Sequence, residues 1–130
     1  MTRHPFSYAV LRVVPRVERG EAINAGVLLH CQALDFLGSR VHLDRERLTA
    51  VDPTADADAI ERALAAAADV CDATAAAGAA GREDTGRRFR WLTAPRSTVV
   101  QPGPVHTGLT TDPAADLDRL LHVLVLPLRP

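Results

Sequence analysis

A chain of 130 residues, 47% apolar and with a formal net charge of −1, has the size of a single domain and enough apolar material for a core. Its near-neutral charge argues against bulk binding to nucleic acid or to a membrane surface, both of which draw on a basic excess. No apolar run reaches the roughly 20 residues of a bilayer span, and Met1-Thr2-Arg3-His4-Pro5 lacks the apolar stretch of a secretory leader, so the expected location is the cytoplasm, with no membrane partner.

The first third reads as a β-meander. Residues 6–14 (FSYAVLRVV) are apolar in both phases, the pattern of a central strand covered on both faces, with Arg12 as the exception. Residues 15–21 (PRVERGE) form a polar, turn-forming connection. Residues 23–31 (INAGVLLHC) and 36–43 (FLGSRVHL) are the next two strands. Their short connections make antiparallel neighbours of them.

Asp52-Pro53 carries the signature of a helix start, an Asp that can accept a first-turn N–H followed by a Pro that loses nothing there. Ile60, Leu64, Ala67 and Cys71 recur at helical spacing, and the alanine-rich run predicts helix to about Ala77, ended by Gly78 and Gly81. Residues 82–88 (REDTGRR) read as a charged loop, and residues 89–92 (FRWL) as a short helix or extended turn whose Phe89 and Trp91 anchor it in the core. Residues 98–101 and 105–109 read as short strands about the turn Pro102-Gly103-Pro104. Asp112-Pro113 repeats the helix-start signature, Leu117, Leu120, Leu121 and Leu124 make one apolar stripe, and Pro127 stops it. The expected fold is α+β, with an antiparallel sheet that begins with a three-stranded meander and two main helices packed against it. Residues 1–130 form a single domain in this reading.

Three segments carry polar residues that a plain core does not need. The first is Arg19-Gly20-Glu21 with Asn24 and Gly26; a glycine inside a strand marks a bulge or a close approach. Asn24 has the alternative of closing its own turn, and Arg19 with Glu21 that of a solvated pair. The second is Arg87-Arg88-Phe89-Arg90-Trp91, arginines interleaved with aromatics. The third is residues 96–108, RSTVVQPGPVHTG, where His106-Thr107 matches half of a paired HxT motif whose second half is missing. An arginine-lined phosphate or nucleotide site would use Arg12, Arg19, Arg88 and Arg96 on the anion. Gln101 would orient, Glu21 and Asn24 would lie nearby, and His106 would move the proton. His30, His42 and His122 read as structural or surface.

All the basic residues are arginine, the planar cation that suits phosphate and carboxylate. Cys31 and Cys71 have no His or Cys at ligand spacing, so buried free thiols are expected and a metal is not. There is no dinucleotide fingerprint, P-loop, zincin motif or nucleophile elbow, and no cofactor is expected.

The sequence resembles the bacterial family catalogued as domain of unknown function 3037. The resemblance is carried by Tyr8-Ala9-Val10-Leu11-Arg12-Val13-Val14-Pro15, by Arg19-Gly20-Glu21 with Asn24-Ala25-Gly26-Val27, and by residues 88–97 (RFRWLTAPRS). It continues through Gln101-Pro102 and Val105-His106-Thr107-Gly108 to the terminal helix, with residues 54–86 the least specific part. The resemblance carries no activity to transfer. Members are small stand-alone proteins often encoded beside HipA-like kinases, which implies an interaction or regulatory role with such a kinase as partner. The alanine-rich helix and the terminal leucine stripe are the faces on which a second copy of the chain would pack as a homodimer.

Overall fold

The computed structural model describes residues 2–129. Strands β1 (His4–Val13), β2 (Ile23–Cys31) and β3 (Phe36–Val41) form the expected antiparallel meander. Strands β4 (Val100–Pro102) and β5 (His106–Thr110) both pair antiparallel with the other edge of β1, completing a five-stranded sheet. The chain is therefore α+β, built on one antiparallel sheet.

β4 and β5 behave as a single strand with a bulge. Leu11 faces Pro102 and Tyr8 faces His106, so the outer strand carries one residue more than β1 over that stretch. Pro102 and Pro104 have no N–H to give to a ladder. Gly103 between them does, and it donates to the Val10 carbonyl at 2.7 Å.

The apolar double phase of β1 has its cause in two cores. On one face Leu11, Val13 and Leu28 pack against Leu48, Leu64 and Phe89. These come from helices α1 (Arg45–Val51), α2 (Ala57–Asp72) and α3 (Thr85–Thr93). On the other face Phe6, Val27 and Leu29 pack against Leu117 and Leu120 of α4 (Pro113–Leu124). The terminal leucine stripe thus covers β2 and β3 on its own side of the sheet.

The helix expected over residues 52–77 is corrected at both ends. Asp52 closes α1 and opens nothing. Its carboxylate accepts from the Thr54 N–H (2.9 Å) and hydroxyl (2.7 Å) and faces Arg16 Nε at 3.4 Å. These bonds, the Thr54 hydroxyl first, hold the Asp52 carboxyl below the usual carboxylate range. Asp-Pro serves a helix start and a side-chain turn equally well; here Thr54 decides for the turn. Asp56 is the true cap, accepting from the Ala59 N–H at 3.0 Å. α2 ends at Ala73 in the left-handed region, and a 3₁₀ segment, Ala75–Arg82, follows.

Two further differences concern short helices. Arg45–Val51, left without an element by the sequence, is helical, and Arg45 ties it to α2 through Asp58 (2.7 Å) and Glu61 (2.9 Å). The loop expected over residues 82–88 ends early, because the Asp84 carboxylate accepts from the Arg87 N–H (2.8 Å) and starts α3 at Thr85. No single helix among the described residues is long and apolar enough to cross a membrane.

Candidate functional site

The residues singled out in the sequence divide between the two faces of the sheet. Arg88 and Arg96 belong to the side of α2 and α3. Arg88 donates to the Glu83 carbonyl (2.6 Å) and reaches the Cys71 carbonyl (3.5 Å) near the end of α2. That use of a cation, closing free carbonyls at a helix C-terminus, is structural. Arg96 donates to the Trp91 carbonyl and lies over the Trp91 ring, 4.8 Å from its centroid.

Arg12, Gln101 and His106 lie on the opposite face. Cross-strand partners share a face; Arg12 faces Gln101 and, on its other side, Asn24, while Tyr8 faces His106. Asn24 is occupied there, donating to the Leu124 carbonyl at 3.0 Å and holding the end of α4 to the sheet. Ala25 is the extra residue of a β1–β2 bulge, and at Gly26 a Cβ would come within 3.0 Å of the Arg40 carbonyl. The glycine thus answers to both a bulge and a close approach.

Arg19 and Glu21 pair with each other at 2.6 Å, both exposed, on the β1–β2 connection. No hydrogen bond or ion pair among the described residues links them to Arg12, Arg88, Arg96 or His106. The four-arginine clamp does not assemble: Arg88 and Arg96 are on one side of the sheet, Arg12 is on the other, and Arg19 is held by its neighbour.

Trp91 corrects the expectation of a buried anchor. Phe89 is buried as expected, whereas Trp91 is 52% exposed. It stands at the edge of a cleft of about 590 Å³ whose walls are alanines of α2 and of the 3₁₀ segment, Leu92, Val99 and Val100. Arg96, Thr98 and Asp69 supply its polar atoms. The sequence held one signal for this site: a wide run of alanine, which leaves room between helices, beside the only tryptophan.

His30, also on the helix side, stacks on Phe89 (ring centroids 5.4 Å), and the Thr85 hydroxyl lies 3.3 Å from its Nε2. Burial, reinforced by the charge of Arg90, lowers its pKa. Its ring serves as packing against Phe89. Both cysteines are buried and free, and burial pushes the Cys71 thiol up to about 12. Among the described residues no three His, Cys, Asp or Glu side chains gather as a metal-holding group.

No curated protein and no solved structure matches the chain. A family model does, over residues 8–125, from Tyr8 of β1 to Val125, which caps α4. The motifs on β1, β2, α3 and the β4–β5 strand all lie within that span, and the chain belongs to the family described as protein of unknown function (DUF3037).

Proposed function

We propose that the protein is a binding module that takes an apolar segment of a partner protein into the cleft beside Trp91. The half-exposed Trp91 ring carries this reading. Leaving the largest apolar side chain in water forgoes burial worth about 25 cal/mol per Å². Tryptophan and arginine are also the residues that most often dominate an interface. Arg96 stacks on the ring and fixes its orientation before a partner arrives, which lowers the ordering cost of binding. The alanine walls let a partner's side chains approach the helix backbone closely.

The partner favoured by the family resemblance is a kinase of the HipA-like type, so the module would regulate or present that kinase. A second copy of the chain is the competing occupant. Co-expression with a HipA-like kinase from the same genome, followed by size exclusion, tests the assignment. Co-elution of the wild type and separate elution of Trp91→Ala are expected. Separate elution of the wild type at micromolar concentration overturns the kinase assignment, and a self-association that Trp91→Ala abolishes replaces the kinase with a second copy.

A further inference from the structure

The open half of the sheet, on the face opposite the Trp91 cleft, holds a different constellation. α4 covers β2 and β3, and over β1, β4 and β5 the same face presents Tyr8, Val10, Arg12, Gln101 and His106, all of them partly or fully exposed.

Arg12, the penultimate residue of β1, is partly exposed and flanked by a strand on each side, opposite Asn24 and Gln101. It makes no hydrogen bond or salt bridge among the described residues, whereas Arg16, Arg19, Arg40, Arg45, Arg87 and Arg119 are all ion-paired. Its guanidinium is nevertheless placed. A Cβ on Gly103 would lie 3.1–3.2 Å from its Nη2, Cζ and Nε, so the glycine opens the space in which the fork lies flat across the β4–β5 bulge. Gly103 is bonded to Val10, one pair along from the Tyr8–His106 row. The guanidinium is thereby turned toward the two rings, whose centroids are 5.4 Å apart. Gln101, opposite Arg12, adds an amide donor.

We infer that this face binds a small ligand that joins a planar ring to a phosphate, of the nucleoside monophosphate class. The Arg12 fork takes the phosphate oxygens in two parallel bonds with Gln101 beside it. Tyr8 and His106 take the ring by stacking. A bare phosphate would use only half of the strip. The site shares no residue with the Trp91 cleft: on β4, Val100 lines the cleft and Gln101 points to the other face.

Isothermal titration with adenosine 5′-monophosphate, adenosine and inorganic phosphate tests the assignment. The monophosphate is expected to bind more tightly than either fragment. Arg12→Gln is expected to weaken it about ten-fold or more, and Arg62→Gln, on the exposed side of α2, to leave it unchanged. Gly103→Ala keeps every charge but intrudes on the guanidinium, and is expected to weaken binding while the melting temperature confirms the fold. Binding unaltered in both Arg12→Gln and Gly103→Ala overturns the site, as does the absence of saturable heat in the millimolar range. Inorganic phosphate binding as tightly as the monophosphate overturns the stacking role. A 5′-phosphorylated single-stranded oligonucleotide that binds more tightly than the monophosphate overturns the small-ligand assignment.

Discussion

Arg96 and Trp91 form a unit that faces solvent: the guanidinium stacks 4.8 Å from the ring centroid while the same side chain donates to the Trp91 carbonyl. Only Trp91 reports on this cleft by fluorescence, because it is the single tryptophan. With half of the ring in water, Trp91→Ala is expected to cost about 1–2 kcal/mol in urea unfolding, short of the about 3–5 kcal/mol of a fully buried aromatic. Arg96→Ala is expected to cost about 0.5–1 kcal/mol, the worth of an exposed cation–π contact, and to change the tryptophan emission. A loss of several kcal/mol for Trp91→Ala would show a ring buried in the core.

Gly108 is held to its identity by the ring across from it. A Cβ at this position would lie 2.6 Å from Phe6 Cζ, and Phe6 is buried against α4. Gly108→Ala is expected to destabilise the chain by about 1–3 kcal/mol through overpacking. Thermal or chemical unfolding of that variant beside Phe6→Leu checks the cause: if the ring is the obstacle, the double variant recovers part of the loss.

His30 contributes a pH dependence of known sign. Its folded-state pKa is lowered, by burial first and the Arg90 charge second, so the folded chain binds this proton more weakly than the unfolded chain, whose imidazole titrates near about 6.5. Stability is therefore complete above that pH, and falls as the pH drops from it toward the folded pKa. His30→Gln is expected to flatten the slope of stability against pH in that window. Melting temperatures measured across it decide the matter, and an unchanged slope would remove His30 as the source.

Cys71 and Cys31 are expected to resist thiol reagents in the native state, Cys71 doubly so because burial holds its thiol protonated up to about 12. Reaction of both is expected once the chain is unfolded in urea. Fast labelling of the folded protein at neutral pH would contradict the burial of one or both.

The residue pattern alone determined the meander, the ends of its strands to within a few residues, the α4 stripe and the burial of both cysteines, because alternation and helical spacing are local consequences of which atoms must leave water. It determined the family as well, since the matching motifs are runs of sequence. Tertiary structure decided what the polar residues do. Asp52 and Asp112 begin the same dipeptide, yet only Asp112 caps a helix, because Thr54 captures the other carboxylate. Arg88 and Arg12 look equally fit for an anion in the sequence; one is spent on helix carbonyls, and the other, on the opposite side of the sheet, makes no hydrogen bond or ion pair among the described residues. Hydrogen-bond partners and the face a side chain occupies are set by pairing and packing between distant segments, and a one-residue bulge beside Gly103 is enough to turn Arg12 toward Tyr8 and His106.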